Sequence, residues 1–202
     1  MPEYLDAVKM SSASAPYHHG DLRRALLEEA SVVLEEAGPD AISMRELARR
    51  LSVSHAAPGH HFAGRADLLQ ELAAEGYRQL ADALEGAMTG ERESWLRETG
   101  RAYVRFALAN PQRYRLMFTT GITRGCGEGL SFESSRAYIA LLTSVYGDLS
   151  HLDPDDYQLG AGELRSWSLV HGAVMLWIDG QLQESTTEVR FLELVDEMLA
   201  DL

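Results

Sequence analysis

The residues best suited to binding chemistry lie close together, between positions 43 and 65 of the chain. They are basic or hydroxyl side chains with one small neighbour, at Ser43, Arg45, Ser54, His55, Ala56, His60, His61 and Arg65. Arginine is permanently charged, and an imidazole, whose usual pKa is about 6.5, gains charge readily beside a phosphate. Such side chains are candidates for contacts with the phosphates and base edges of a nucleic acid.

Two short helices joined by a tight turn are predicted to hold these side chains, over the stretch from Ala41 to Phe62. Ser43 precedes Glu46 by three residues, which predicts a capping box at the start of the first helix. Its apolar residues share one helical face and leave the arginines on the others. The second helix is predicted from Ser54 to His61. Two helices in this order form a helix-turn-helix, whose second helix lies in the major groove of DNA.

The net charge of -13 opposes this interpretation, because contacts with phosphates supply most of the non-specific affinity for DNA. From Tyr17 to Arg65, however, six arginines stand against seven acidic residues, so this segment is nearly neutral. The acidity lies mainly downstream, where it would repel DNA from the other faces of the protein. The local charge is compatible with DNA binding.

Composition indicates a globular protein of one or two domains, with 202 residues of which 46% are hydrophobic. Cys126 is the single cysteine, so neither an internal disulfide nor a cysteine-based zinc site is expected, and no cofactor is implied. The apolar runs fall short of the roughly 18 residues that a membrane span needs. We expect no membrane association, a cytoplasmic location and a disordered leader at residues 1–16.

Helical periodicity without the alternation of strands predicts an all-α fold of about nine helices. A three-helix DNA-binding domain at 17–64, whose first helix spans about 21–37, is followed by a connecting helix at 65–86. A second domain at 87–202 is predicted to contain helices at 95–110, 112–118, 130–149, 154–179 and 187–202. The glycine-rich segment at 119–129 is predicted to be a flexible connection.

The final helix carries apolar residues on more than one face. One row consists of Val189, Leu192, Val195 and Leu199, and a second of Phe191, Leu194 and Met198. One row would pack on its own subunit while the other meets a second copy, so the last two helices are predicted to form a four-helix homodimer interface. The alternative is a helix buried in a large monomeric core.

Motifs in both halves resemble one protein family. The N-terminal half resembles the DNA-binding domain of TetR-family transcriptional regulators in YHHGDLRRALLEEA, AISMRELARRLSVSHAAPGHHF and RADLL. The second half resembles the ligand-binding domain of a TetR subgroup with a Trp-His-Gly signature, in FALANPQRYRLMF and WSLVHGAVMLWIDG. The resemblance implies an all-helical homodimer, usually of nine helices. In such a dimer an effector bound in the C-terminal domain changes the spacing of two DNA-reading heads.

The resemblance also assigns roles within the helix-turn-helix. It places His55 and Ala56 at the exposed start of the recognition helix, where base edges would be reached. Ser43 and Arg45 open the preceding helix, and Arg65 takes a basic position that family members use on the DNA backbone. The alternative for each of these residues is an ordinary solvated side chain.

Two departures from the family pattern concern the recognition helix. Most relatives have a glycine where Ser52 stands, so the turn here adopts a backbone that serine tolerates or bears modest strain. Most relatives also have a tyrosine where Gly59 stands, and Pro58 lacks a backbone amide. We therefore expect the recognition helix to be weak on its own and to order fully against DNA.

Trp167 and His171 are four residues apart and share a helix face, beside Gly172, which would allow another helix to approach. In one interpretation His171 binds an effector in an apolar cavity. The other lining candidates are Trp95, Tyr103, Phe106, Met117, Phe118, Tyr138 and Met175. In the other interpretation a neighbour satisfies His171 in the core and the aromatic residues simply pack. Both interpretations remain open.

The sequence favours a homodimeric transcriptional regulator over an enzyme. We expect a repressor that binds palindromic operator DNA and leaves it when a small-molecule effector binds. No nucleophile turn, phosphate loop or pair of histidines at metal spacing is found, and the acidic residues beside His151 are typical of a helix start. The alternative is a dimeric helical ligand-binding or scaffold protein with weakened or lost DNA binding.

Overall fold

The structure, a computed structural model, describes residues 19–123, 127–150 and 157–202. Its helices are α1 (His19–Ala37), α2 (Met44–Arg50), α3 (Arg65–Ala87), α4 (Trp95–Ala109), α5 (Pro111–Met117), α6 (Thr120–Thr123), α7 (Glu128–Tyr146), α8 (Ala161–Ile178) and α9 (Glu188–Ala200). Short 3₁₀ turns occur at Pro39–Ala41, Ala57–His60 and Arg92–Ser94. The described ranges contain no strand, so the all-α prediction is confirmed.

The boundaries of α1 to α5 follow the predictions closely, and those of the later helices follow them less closely. Eight α-helices have seven or more residues and α6 is a single turn, against about nine predicted, within the ranges that the structure describes. The predicted connection at 119–129 is partly helical, because it contains α6 and the start of α7. Helix α8 begins at Ala161, and residues 157–160 before it are not helical. The prediction of a continuous helix from 154 is therefore wrong.

Several predictions fall on residues that the structure does not describe. They are the leader at 1–16, Cys126, and the acidic cluster with His151 and Pro154. Among the helices that are described, none has both the length and the apolar character that a membrane span requires.

Helix α3 is the centre of the fold. It packs along α7 and also contacts α4 and α5. Its buried residues recur every three or four positions, as in Leu68, Leu72, Leu80 and Leu84, which is the pattern of a helix covered on one face. Gly76 allows α5 to approach closely, because a Cβ at this position would lie 2.6 Å from the Met117 sulfur. Helix α3 thus connects the N-terminal helices with the rest of the protein.

Helices α1 and α2 and the first part of α3 form a small N-terminal bundle. Its fully buried side chains are Leu26, Leu34, Ile42, Leu47, Phe62, Leu68 and Leu69. The Arg23 guanidinium covers the Phe62 ring at 5.2 Å from the ring centroid, a cation-π contact that closes one side of this core. Residues 19–65 of this bundle are called the head below.

Helices α8 and α9 expose large apolar side chains, at Leu164, Leu176, Val189, Leu194 and Met198. The buried residues of α9 lie four apart, at Phe191, Val195 and Leu199. The predicted rows on this helix are wrong in detail, because Phe191 lies on the buried side and not with Leu194 and Met198. The central idea, that α9 has apolar residues on both its buried and its exposed faces, agrees with the structure.

Candidate DNA interface and ligand cavity

The candidate DNA interface consists of the start of α2 and the segment between α2 and α3. Its exposed residues are Ser43, Arg45, Ser54, His55, Ala56, His60 and Arg65. His61 is half-buried. All but one of the predicted contact residues are therefore open to a partner, which is necessary for DNA binding but does not distinguish it from ordinary solvation.

The start of α2 differs from the predicted capping box. Ser43 is the N-cap residue, in an extended conformation, but its side chain makes no capping hydrogen bond. The Glu46 carboxylate accepts hydrogen bonds from Arg49, at 2.6 and 2.8 Å, and from Arg50 at 3.2 Å. These hydrogen bonds, Arg49 first, lower the pKa of Glu46 to about 2. Because Glu46 is held by the arginines, the capping box is wrong.

The second element of the motif is a 3₁₀ turn and not an α-helix. The amide of Gly59 donates to the carbonyl of Ala56 at 3.1 Å, and that of His61 to Pro58 at 3.0 Å, so the bonds span three residues. Pro58 has no amide with which to continue an α-helical series. The predicted helix from Ser54 to His61 is therefore wrong in type and length. The buried side chains of Pro58 and Phe62 attach this turn to the head.

The turn after α2 carries the backbone strain that the sequence suggests. Ser52 has a φ of 55°, in the left-handed region that glycine occupies more easily. Amides on either side close the turn, since Ser52 donates to Arg49 at 3.1 Å and Val53 donates to Ala48 at 3.0 Å. For a residue with a side chain this conformation costs about 1 kcal/mol.

Most of the arginines of the head are held by their neighbours. Arg23 pairs with Glu71, Arg24 with Glu28, and Arg49 with Glu46. Arg50 bonds Glu29 at 2.8 Å in addition to Glu46. These pairs are at least partly exposed, so each contributes little to stability.

Arg65 has a structural position that the sequence did not indicate. Its guanidinium donates to the carbonyls of Ile42 at 3.0 Å and Pro39 at 2.7 Å, and it lies 3.4 Å from the Asp40 carboxylate. The predicted contact of Arg65 with the DNA backbone would have to compete with these bonds. Arg65 instead ties the first turn of α3 to the segment that precedes α2.

Arg45 differs from the other arginines of the head. It is exposed on the first turn of α2, and it forms no ion pair or hydrogen bond with the part of the chain that the structure describes. Of the six arginines in the head, it is therefore the one whose charge no described neighbour neutralises. This makes Arg45 the strongest candidate for a phosphate contact.

A cavity of about 230 Å³ lies in the second half of the protein, between α3, α4, α7, α8 and the end of α9. Four of the predicted effector residues line it, Tyr103, Phe118, Tyr138 and Trp167. Five do not, namely Trp95, Phe106, Met117, His171 and Met175. Phe106 and Met117 are buried in the packing between helices, which is the ordinary role of apolar helix residues. Gly172 has no atom within 4 Å of an added Cβ among the described residues, so the expected close helix approach is not found there.

A hydrogen-bond chain explains His171. Its Nδ1 lies 2.6 Å from the Tyr114 hydroxyl, the Tyr103 and Tyr114 hydroxyls are 2.9 Å apart, and Trp167 Nε1 donates to Tyr103 at 3.3 Å. Burial lowers the pKa of His171, which favours the neutral imidazole, and its Nδ1 also lies 3.1 Å from the Tyr103 hydroxyl. The interpretation of His171 as a histidine satisfied within the core fits these contacts of Nδ1.

A buried carboxylate that sequence reasoning missed lies at the start of α8. Glu163 is 1% exposed, and its oxygens accept hydrogen bonds from the hydroxyls of Tyr146 and Tyr157 and, at 2.6 Å, from the amide of Gly160. Burial alone would raise the pKa of Glu163, but these bonds lower it to about 2. The Tyr157 hydroxyl also lies 2.9 Å from that of Tyr138, which lines the cavity. The available signal is the Gly160-to-Glu163 spacing, which is typical of a capped helix start.

Thr99 on α4 is a second residue that sequence reasoning missed. It lines the cavity and is 2% exposed, and its Oγ1 has no hydrogen-bond partner in the described structure. Leaving a buried hydroxyl without a partner costs about 1 to 3 kcal/mol. No sequence pattern marks such a residue, because its lack of a partner depends on what the other helices place around it.

Comparison with family models identifies both halves of the chain. Residues 26–72 match the model described as bacterial regulatory proteins, tetR family. Residues 96–202 match the model described as tetracyclin repressor-like, C-terminal domain. The second match alone spans more than half of the chain. Comparison with curated proteins gave no match.

Solved structures with the same fold come from several bacteria. A protein of unknown function from Rhodococcus sp. RHA1 is 30% identical, covers 92% of this chain and 97% of its own, and has a TM-score of 0.74. The TetR-family transcriptional regulator PfmR from Thermus thermophilus is 20% identical, with coverages of 87% and 94% and a TM-score of 0.60. A TetR-family regulator from Marinobacter aquaeolei VT8 is 21% identical, with coverages of 89% and 93% and a TM-score of 0.62.

Proposed function

We propose that this chain, which belongs to the TetR family of bacterial regulatory proteins, is a repressor that leaves its operator when a small molecule occupies the cavity. The operator would be double-stranded and palindromic, since two copies of the head present the same residues across a two-fold axis. Arg45 would contact phosphate, and His55 and Ala56 would approach base edges from the 3₁₀ turn.

The observation that carries this proposal is that one helix serves both sites. The first turn of α3 holds the head through Arg65, and further along the same helix Tyr77, Leu80 and Leu84 line the cavity. A helix is stiff over this length, so a displacement at the cavity end changes the position of the head. The proposal is supported by this connection, because α3 joins the head to the cavity.

Helix α5 supplies a second connection. The Glu35 carboxylate of α1 accepts hydrogen bonds from the amides of Gln112 and Arg113, both at 3.2 Å. On its other side, α5 bonds α8, since Arg115 donates to the Ile178 carbonyl at 2.6 Å and pairs with Asp179 at 2.8 Å. The head is thus connected through both α3 and α5 to the helices that surround the cavity. Two connections restrict how the head can rotate.

An effector in the cavity changes DNA binding only if it binds more tightly to one arrangement of the two heads than to the other. A ligand with equal affinity for the DNA-binding and the released forms would shift nothing, and a change from 1:99 to 99:1 needs a preference of about 10⁴-fold. The two connections through α3 and α5 are the means by which such a preference would arise.

The second copy would pack on the exposed apolar side chains of α8 and α9, such as Leu176, Leu194 and Met198. Burying apolar residues of this size is favourable, and a helix pair that meets its own copy forms a four-helix interface. The resulting homodimer holds the two heads at a set spacing.

A scaffold or ligand-binding protein that has lost DNA binding is the second candidate. The observation in its favour is that most head arginines are already paired with carboxylates, and that the recognition segment is a single 3₁₀ turn. The two candidates differ in one property, which is specific affinity for DNA.

The proposal is tested by measuring transcription and DNA protection, and by a variant whose larger side chain fills part of the cavity. Deleting the gene should raise transcription of a neighbouring gene, and purified protein should protect a palindromic site upstream of it. Ala137→Leu, which adds apolar volume at the cavity wall, should weaken that protection without any ligand. Thermal unfolding of the variant shows that it is folded, and Ser135→Leu, on the exposed face of the same helix, is the matched control. Unchanged transcription and no protected site would favour the scaffold.

A further inference from the structure

We infer that the cavity takes a small, uncharged, largely apolar molecule with one hydrogen-bond-accepting oxygen, such as a ketone or ester carbonyl, which Thr99 binds. This inference rests on the proposed function of the cavity as an effector site and adds the chemical class of the effector. Three properties of the cavity carry it, namely its size, its charge and the hydrogen atoms of its hydroxyl groups.

The size of the cavity limits the ligand to a compact molecule. Its volume is about 230 Å³, and an apolar cavity of about 150 Å³ in another protein holds one benzene molecule. By proportion, this cavity holds roughly nine or ten non-hydrogen atoms. One ring with a short substituent has this size.

The absence of charged side chains in the described lining disfavours a charged ligand. Among the described residues, the side chains that line the cavity carry no formal charge, and most are leucines and aromatic residues. A carboxylate or ammonium group buried there would lose its water without gaining a counterion, which costs several kcal/mol or more. The nearby Glu163 carboxylate is already satisfied by two tyrosines and an amide, so it is not a free partner for a cation.

The hydroxyl groups of the cavity determine which polar group the ligand carries. Those of Ser134, Ser144 and Ser166 each donate to a carbonyl of their own helix, at 3.1, 2.7 and 2.9 Å. Tyr77 donates to the Met117 carbonyl at 2.8 Å. Because a carbonyl oxygen can only accept, each of these four hydroxyl groups must donate its hydrogen to the carbonyl. None of the four hydrogens is therefore free to bond a ligand.

The two remaining tyrosines of the lining also use their hydrogens. Tyr157 donates to the Glu163 carboxylate, so the Tyr138 hydroxyl must donate to Tyr157. The Tyr103 hydroxyl lies 2.9 Å from that of Tyr114 and 3.1 Å from His171 Nδ1, so it has partners for its hydrogen outside the cavity. Both tyrosines are therefore already hydrogen-bonded within the protein, and Thr99 differs from them in having no partner among the described residues.

Thr99 is the exception among the lining hydroxyls. Its Oγ1 is buried without a partner in the described structure, so its hydrogen is free to bond a ligand. A carbonyl oxygen in the cavity would find this one donor, and a ligand without an acceptor would leave Thr99 unsatisfied. The cavity therefore selects for a single accepting oxygen placed next to α4.

Three probes of nearly equal size test this inference. They are acetophenone, which has the carbonyl, isopropylbenzene, which has the same shape without it, and benzoate, which is charged. Binding is measured by isothermal titration calorimetry on the full chain, with Thr99→Val as the variant that keeps the shape and removes the hydroxyl. Thr99→Ser keeps the hydroxyl, and Ser144→Ala removes one whose hydrogen is already in use.

Thr99→Val should weaken acetophenone about tenfold and leave isopropylbenzene within about twofold, because one hydrogen bond is lost. Thr99→Ser should retain most of the acetophenone affinity, Ser144→Ala should alter the two neutral probes alike, and benzoate should bind far more weakly than acetophenone. Equal effects of Thr99→Val on both neutral probes would overturn the inference. So would benzoate binding as tight as that of acetophenone, or no binding of either neutral probe.

None of these outcomes decides whether the protein is a repressor. That question depends on operator binding, which is measured without any of the probes. If the predicted class of ligand does not bind, the repressor proposal is not contradicted. If the protein binds acetophenone but no DNA, it is the ligand-binding scaffold.

Discussion

Among the arginines of the head only Arg45, and among the hydroxyl groups that line the cavity only Thr99, lacks a partner in the described residues. The two differ in exposure. Arg45 is exposed and hydrated, so leaving it unpaired costs almost nothing. Thr99 is 2% exposed, so its unpaired hydroxyl costs about 1 to 3 kcal/mol until a partner arrives. An unsatisfied hydroxyl in the interior is therefore stronger evidence for a ligand than a free charge on the surface is for DNA.

The same contrast separates the two regions in packing. The head is built from short elements, with a strained serine at its turn and a 3₁₀ segment where a helix is expected. The cavity lies between long helices, and most of the hydroxyl groups that line it are bonded within the protein. Variants that disturb the packing between the long helices should therefore change stability more than comparable variants in the head.

The largest effect on binding is expected for a substitution of Arg45, the unpaired arginine of the described head. Arg45→Glu should reduce affinity for operator DNA about a hundredfold, because it removes a phosphate contact and adds repulsion. Arg49→Glu makes the same change in charge at a residue already paired with Glu46, and should cost about tenfold or less. Fluorescence anisotropy at one fixed salt concentration measures both. Equal losses would show that Arg45 acts only through the overall charge of the head.

A pair of glycines tests the difference in packing. At Gly76 an added Cβ would meet the buried Met117 sulfur at 2.6 Å, whereas at Gly59 nothing lies within 4 Å of it. Gly76→Ala should reduce the free energy of unfolding by about 2 kcal/mol, and Gly59→Ala should leave it within about 0.5 kcal/mol. Urea unfolding gives both values. Similar results for the two variants would mean that α3 and α5 adjust freely to each other.

A smaller, pH-dependent effect is expected at Glu163. Glu163→Gln should reduce the free energy of unfolding at pH 7 by about 1.5 kcal/mol, because charge-assisted hydrogen bonds from Tyr146 and Tyr157 are lost. The folded pKa of Glu163 lies at about 2, below its usual 4.5, so its contribution is complete above pH 4.5 and is lost as the pH falls towards 2.

The wild type and Glu163→Gln should therefore become more alike in urea unfolding as the pH falls below 4.5. A difference that stays constant over this range would show that the carboxylate charge contributes nothing. Tyr138→Phe, which does not touch Glu163 directly, is the control because it alters the neighbouring network without removing the charge.

The sequence predicts well the features that depend on near neighbours. Periodic apolar residues locate α1, α3, α4 and α5 to within a few positions, because a helix face repeats every three or four residues. Ser52 stands where relatives have glycine, which left either a backbone that serine tolerates or modest strain, and the structure has the strained, left-handed alternative. Four of the aromatic residues proposed for the effector site line the cavity, since helical aromatics of this domain point towards a shared interior.

The features that the sequence does not predict depend on distant partners. Arg65 bonds carbonyls at Pro39 and Ile42, more than twenty residues away, and Glu163 accepts from Tyr146 on another helix. The segment around Pro58 is a 3₁₀ turn. Its weak helical propensity does not allow the sequence to distinguish α-helical from 3₁₀ hydrogen bonds. The unpaired hydroxyl of Thr99 is buried only because several helices surround it.

The most direct test of the repressor proposal is the salt dependence of binding to the DNA upstream of the gene. We expect wild-type protein to bind one palindromic site specifically, with an affinity that falls linearly on logarithmic axes as salt rises, and we expect Arg45→Ala to reduce that slope by about one. If the wild-type protein binds no DNA specifically even at low salt, the repressor proposal is wrong and the head is a remnant on a ligand-binding scaffold.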